Sequence, residues 1–276
     1  MEKRRVLYIS QEILPYVDES TISKISRFLP QGIQERGKEI RIFMPRYGCV
    51  NERRNQLHEV IRLSGMNLVV DDADHPLIIK VASIQQARMQ VYFIDNEEYF
   101  QRKSILSDKS SGEFFADNDE RALFFAKGVL ETVKKLGWSP DVIHCHGWIT
   151  SAVPILIKKT YKDDPLFANS KVVYSLYNDH FPGSLNQKYT EKLSQYENIK
   201  KSDISVANDP SYLNLTKLAI DYADGFVFAE EALNPELVKY VNNTKKLSIE
   251  HSGEEYMDDY SRFYDEICEL EPVFAE

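Results

Sequence analysis

Apolar positions along the chain change period several times, and the changes mark the elements. Arg5–Ser10 is short, mostly apolar and β-branched, which suits a buried strand. A loop over 11–20 follows. Between 21 and 36, Ile22, Ile25, Phe28, Leu29 and Ile33 recur at helical spacing, and Gly37 offers a C-cap. Pro30 lies inside that run and is expected to kink it. Residues 39–44 read as the next strand, closed by Pro45. A strand, a helix and a strand in this order predict a βαβ unit with parallel pairing.

From 57 to 94 several apolar runs stand close together with short polar breaks, as β-hairpins laid onto the main sheet would. Alternation then resumes: a helix over Asn118–Leu136, a strand over 141–145, a helix over 149–161 and a strand over 171–177. A helix over 214–222 and a last strand over 225–229 complete it. Such repetition predicts an α/β fold: a Rossmann-like, doubly wound, mostly parallel sheet with helices on both faces. There is no internal repeat and no Gly/Ser linker. The expected organisation is a domain over 1–230 and a C-terminal helical, acidic extension over 231–276 packed on it.

Composition adds bounds. The 276 residues are 43% hydrophobic and 28% charged, as in a globular chain with a real core. The formal charge of −9 and the lack of any basic stretch argue against a nucleic-acid partner. No run approaches the length of a membrane span, and the apolar run near the start is too short for a signal peptide, so a cytoplasmic protein with no membrane partner is expected. Cys49, Cys145 and Cys268 are three and far apart, which reads as reduced thiols. The charge is localised. Residues 250–276 hold ten acids against one base, Arg262, and so carry the whole net charge. Within them Tyr256, Tyr260, Phe263, Tyr264 and Ile267 fall on one face of a helix predicted over 254–270.

In such a sheet, ligands bind beyond the carboxyl ends of the strands. The residues there are Glu12 and Asp18, then Arg46, Tyr47 and Gly48, then Asp95 and Asn96. Further on stand His144, His146 and Trp148, then Tyr177 and Asn178, and finally Glu230. His144 and His146 would share a strand face, but no third ligand sits at a standard metal spacing, so no metal is expected. Asp179 and His180 lack a companion nucleophile for a triad. No glycine-rich phosphate loop is present, and Asp18 and Glu19 in the first strand-to-helix turn would repel a pyrophosphate. No cofactor is expected.

At these residues the chain resembles the N-terminal half of bacterial glycogen synthases and plant starch synthases. The resemblance runs through Glu12 to Pro15, Pro45-Arg46-Tyr47-Gly48, Ile94-Asp95-Asn96 with Tyr99-Phe100, and Asp117-Asn118 with Arg121 and Phe124. It continues through Pro140 to His144, Trp148, and Lys217 to Asp224. It implies one half of a GT-B fold and, for the family, retaining glucosyl transfer from ADP-glucose. The family's Lys-x-Gly-Gly-Leu, whose glycines and Lys serve the donor phosphates, stands here as Asp18-Glu19-Ser20-Thr21-Ile22, and a nearby family Asp is Lys24. The family's His-Asp-Trp-His is His146-Gly147-Trp148-Ile149. The family His beside the transferred glucose is Tyr177.

What the resemblance leaves of the pocket is Glu12, His146, Trp148, Tyr177 and Asn178, a residual cleft for glycan or another ligand. The catalytic positions are substituted at Asp18, Ser20, Thr21, Gly147 and Tyr177. An active synthase of the family is about twice as long, with the donor held mainly by a second domain expected to be absent here. The expectation is therefore a pseudoenzyme of glycogen metabolism that binds α-glucan or a partner enzyme. The alternative is an active ADP-glucose-dependent glucosyltransferase, alone or with a separately encoded C-terminal half. The chain's 16 Tyr and 14 Phe offer rings for sugar stacking, although most are expected in the core.

Overall fold

The computed structural model describes residues 3–251, 253 and 256–270. Among these residues, ten strands and eight α-helices follow one another. The chain opens with β1 (Arg5–Ser10), α1 (Thr21–Glu35) and β2 (Glu39–Pro45). It continues through β3 (His58–Glu59), β4 (Met66–Val70), β5 (Ala73–Ile84), β6 (Met89–Asp95), α2 (Glu97–Phe100) and α3 (Asn118–Leu136). Next come β7 (Val142–His146), α4 (Val153–Ile155), β8 (Lys171–Leu176), α5 (Tyr189–Leu193) and α6 (Tyr212–Tyr222). The last elements are β9 (Gly225–Phe228), α7 (Pro235–Thr244), β10 (Leu247–Glu250) and α8 (Tyr256–Glu269).

The strand order is β10-β9-β8-β7-β1-β2-β6-β5-β3, with β4 paired to β5. From β10 to β6 all neighbours are parallel. The hairpins read over 57–94 are β4–β5 and β5–β6, both antiparallel, and β6 carries them onto the parallel sheet. The β4–β5 turn holds Asp71 at φ 50 and Asp72 at φ 60, the backbone that a tight hairpin demands. Strands β1 and β7 are buried on both faces, which explains their near-continuous apolar runs.

Several elements depart from the pattern. Helix α1 runs on through Pro30. The helix expected over 149–161 is a 3-10 turn (Trp148–Thr150), the short α4 with Pro154 in its first turn, and a π-turn (Leu156–Thr160). Residues 148–157 are buried all round, so their apolar pattern carries no helical period. Residues 225–229 do not hold the last strand: β10 adds one more, and it falls in the region expected to be helical.

Helix α8 lies on the sheet over β1, β7 and β9. Tyr260, Phe263, Tyr264 and Ile267 are buried there, while Tyr256 is half-buried. Positions 254–255 of the predicted helix fall outside the described residues. Gly225 makes the seat: a Cβ there would lie 2.6 Å from Ile267 Cδ1 and 2.9 Å from Phe263 Cζ. The acids of the helix meet a basic rim. Asp258 pairs with Arg36 at 2.5 Å, and Asp265 with Lys38 at 2.8 Å and Arg4 at 3.7 Å. Two acids of the helix thus pair with cations of the first 40 residues.

Candidate functional site at the carboxyl ends of the strands

Connections leave β1 and β7 in opposite directions across the sheet, so the crevice between their carboxyl ends is the topological switch point, where open α/β sheets bind ligands. Here the protein's own groups fill it. The backbone of Gln11 donates to the His146 carbonyl at 2.9 Å. The Gln11 side chain covers Gly147 and accepts a 3.4 Å bond from the Ile149 amide. Gly147 has φ +87, and a Cβ on it would lie 2.6 Å from Gln11 Cβ. Glycine at 147 therefore lets Gln11 close the crevice.

Next to it, His146 Nδ1 and the Tyr177 hydroxyl are 2.7 Å apart, both buried. Burial, with the nearby charge of His251 second, holds His146 down to about 3, so the ring is neutral. Among the described residues its Nε2 has no hydrogen-bond partner, nor does the Trp148 indole nitrogen. Trp148 packs against Phe181 (ring centroids 4.7 Å) and Phe114 (6.0 Å). Its amide donates to Asp179 Oδ2 at 2.7 Å. Burial raises Asp179 to about 6 despite that bond, and Glu12 pushes in the same direction. Asn178 is exposed. Its amide donates to Glu230 at 2.9 Å and its side chain to the Ala232 carbonyl at 2.5 Å. His146, Trp148 and Tyr177 therefore stand together, interior to the crevice, while Glu12 and Asn178 flank it.

Glu12 is turned to the first strand-to-helix connection. Ser20 Oγ donates to Glu12 Oε2 at 2.5 Å. Ser20 is also the N-cap of α1: its Oγ accepts from the Ser23 amide at 3.0 Å, and Ser23 Oγ accepts from the Ser20 amide at 2.8 Å, a complete capping box. A helix N-terminus is ordinarily a ready anion site. In this one the Ser20 and Ser23 amides are spent on side chains, a carboxylate is bonded to the cap, and Asp18 and Glu19 precede it. Lys24 is drawn off by Glu19 at 2.5 Å.

Open space lies one strand over, beyond β2 and β6. A cleft of about 520 Å³ is lined by Tyr16, Asp18, Asn51, Arg54, Asn55 and Lys109 among others. The mixture of two amides, two cations, an acid and a ring offers hydrogen bonds and a stacking face to a polyhydroxylated ligand. Sequence reading passed over Gln11 and the 51–55 loop. The signal for Gln11 was its place directly after β1, but its partner Gly147 is 136 positions away. Among the described residues no group of three or more His, Cys, Asp or Glu is placed to hold a metal ion. Nor is any helix among them long and apolar enough to cross a membrane.

Comparison with known proteins agrees with this fold. Residues 5–244 match the family described as starch synthase catalytic domain. The chain is 40% identical over 189 residues to a glycogen synthase of Chlorobium luteolum, covering 68% of this chain and 39% of that protein. It is 35% identical over 241 residues to a glycogen synthase of Pelodictyon phaeoclathratiforme, covering 86% and 48%. Its fold matches the catalytic domain of starch synthase IV from Arabidopsis thaliana bound to ADP and acarbose. The TM-score is 0.70 at 18% identity, over 90% of this chain and 51% of that one. The chain spans less than half the length of the two glycogen synthases.

Proposed function

This chain belongs to the family of starch synthase catalytic domains, and we propose that within it the chain binds α-glucan without transferring glucose. The observation that supports this most is the self-capped N-terminus of α1, where Ser20 is held by Glu12 at 2.5 Å. Stabilising the charge that develops on a leaving nucleotide is usually the largest single contribution to such catalysis. A pyrophosphate brought to this turn meets Glu12, Asp18 and Glu19 and finds no free glycine amide. The Gln11–Gly147 closure and the His146–Tyr177 pair occupy the adjoining crevice, which leaves the cleft beside Arg54 and Asn55 for ligand. A neutral glucan needs hydroxyl partners and apolar ring faces, and no phosphate site.

Two assays on the full chain test this. The protein is expected to co-sediment with glycogen, and to give no binding heat with ADP or ADP-glucose. Failure to co-sediment removes the glucan reading. ADP release from ADP-glucose and glycogen above a heat-killed control supports the alternative, an active glucosyltransferase. A second reading, docking to a separate enzyme of glycogen metabolism, draws on Glu266 and Glu269. Both face solvent on α8, away from its basic rim. Recovery of no such enzyme in a pull-down counts against it.

A further inference from the structure

The loop over 51–55 forms one wall of the open cleft, through Asn51, Arg54 and Asn55. Most of its hydrogen bonds stay inside it. Asn51 Oδ1 accepts from the Arg54 amide at 2.8 Å, and the Asn51 carbonyl accepts from the Asn55 amide at 3.1 Å and the Asn55 side chain at 2.9 Å. The Leu57 amide returns to the Glu52 carbonyl at 3.0 Å. Such bonds shape a turn without fixing where it sits. The Glu52 side chain does that. Its Oε1 accepts from Lys80 Nζ of β5 at 2.7 Å and from the Arg46 guanidinium at the end of β2. Among the described residues, no other side chain of 51–55 has a hydrogen bond or ion pair outside the loop. Behind Glu52 the two cations converge on a second carboxylate. Asp95, at the end of β6 and buried, lies 3.0 Å from Lys80 Nζ and 3.5 Å from Arg46 Nε. Two acids and two cations thus alternate. The sheet supplies three of these corners, and the loop supplies Glu52. Burial pushes the Glu52 carboxyl up, but the bonds from Lys80 and Arg46 outweigh it and hold the group below its ordinary value. None of the four residues lines the cleft.

We propose that Glu52 is a positioning residue for the cleft: it touches no ligand, and it sets Arg54 and Asn55 in place for glucan by tying their loop to Lys80, Arg46 and, through them, Asp95. This rests on the glucan reading above. A loop already held loses less conformational freedom when a ligand binds it. The base of the wall is fixed separately. A Cβ on Gly48 would collide with the backbone carbonyls of Gln101 and Arg102, and that segment leads into the opposite wall of Ser104 to Lys109. Close packing at Gly48 therefore joins the two walls at their foot. The 51–55 segment beyond it is the part left to Glu52. Charge-assisted bonds to half-buried cations suit that task, because they are strong and directional.

Co-sedimentation of the full chain with glycogen, read beside hydrogen exchange, tests this. Glu52→Ala is expected to weaken glycogen binding roughly tenfold. Glu52→Gln keeps the acceptor oxygen without its charge and is expected to weaken binding less. Lys80→Met is the decisive variant, because Lys80 bonds to Glu52 and does not line the cleft. It is expected to weaken binding by itself, and to add little when Glu52 is already alanine. In Glu52→Ala the Asn55 and Leu57 amides are expected to exchange several-fold faster, while those of α3 keep the parent's rates. If the parent does not co-sediment with glycogen, the glucan reading fails and the proposal falls with it. If the parent binds and Lys80→Met binds equally well, the proposal alone fails. It also fails if the effects of Lys80→Met and Glu52→Ala simply add, or if the Asn55 and Leu57 amides exchange at the parent's rate in Glu52→Ala.

Discussion

The Tyr264 hydroxyl of α8 lies 2.6 Å from His144 Nδ1 in the middle of β7, joining two residues 120 positions apart, both wholly buried. His144 Nε2 is held in turn by Ser175 Oγ at 2.8 Å, and Tyr264 also meets the Tyr8 hydroxyl at 3.2 Å. Burial first, and the neighbouring His146 second, keep His144 far below its ordinary range, so the ring is neutral. A neutral imidazole between two hydroxyls is fully satisfied, and the cost of burying it is met only while α8 is docked. Tyr264→Phe strands a buried ring nitrogen and is expected to cost about 1–3 kcal/mol in urea unfolding. Tyr260→Phe is expected to cost less, because its partner His251, at 3.1 Å, keeps access to water. Equal stabilities of the two variants would contradict this role for the network.

The fold was legible where pattern and punctuation agreed. The run over Asn118–Leu136 has acids in its first turn, Lys134 and Lys135 in its last, and Gly137 at φ +61 beyond it, and its bounds are those read from sequence. It was illegible where burial erased the period, as over 148–157. It also failed where an element was too short to show one, as in the four residues of β10. The site divides in the same way. Asp18, Ser20 and Thr21 of the capped turn stand in one contiguous stretch. The closing of the switch point depends on Gln11 meeting Gly147, and the α8 network on Tyr264 meeting His144. Both are tertiary coincidences with no local signature.

Acid should loosen the molecule through the buried imidazoles. His146 binds a proton at about 3 in the folded chain, against 6.5 when unperturbed. Between those values the unfolded state holds the proton and the native state does not. Stability is therefore intact above pH 6.5 and falls as pH drops toward 3, by about 1.4 kcal/mol per pH unit for one such group. Asp179, raised from 3.8 to about 6, opposes this: over that window the native state holds its extra proton, and the contribution is lost as pH rises. A comparison of variants cancels the opposing group. His146→Gln keeps a partner for the Tyr177 hydroxyl and removes one titration. Its unfolding free energy is expected to vary with pH less steeply than the parent's between pH 4 and 6, by about 1.4 kcal/mol per unit. Parallel curves would refute the assignment.

An aspartate at 147 is expected to harm the protein. Gly147→Asp would place a side chain at φ +87 and set its Cβ 2.6 Å from Gln11 Cβ. The left-handed backbone and the overpacking together should cost about 2–4 kcal/mol. Gly147→Ala adds the same Cβ without the carboxylate. If the backbone and Gln11 are the cause, the two variants should lose similar stability in chemical denaturation. An alanine variant as stable as the parent would mean that the turn tolerates a side chain.

The cleft beyond β2 and β6 gives the last prediction, which rests on the glucan reading. Arg54 is exposed at its mouth, and Asn55 donates to the Asn51 carbonyl at 2.9 Å, which orders the loop without using its whole hydrogen-bonding capacity. Sugar hydroxyls would bond to these groups at about 1 kcal/mol each. The double variant Arg54→Ala/Asn55→Ala should therefore weaken co-sedimentation with glycogen roughly tenfold. Its melting temperature should stay close to the parent's, since neither side chain enters the core. His146→Gln should leave glycogen binding unchanged, because His146 is sealed behind Gln11 and bonded to Tyr177. The reverse pattern, with binding lost in His146→Gln and kept in the Arg54/Asn55 variant, would move the ligand to the switch-point crevice and require Gln11 to swing away from Gly147.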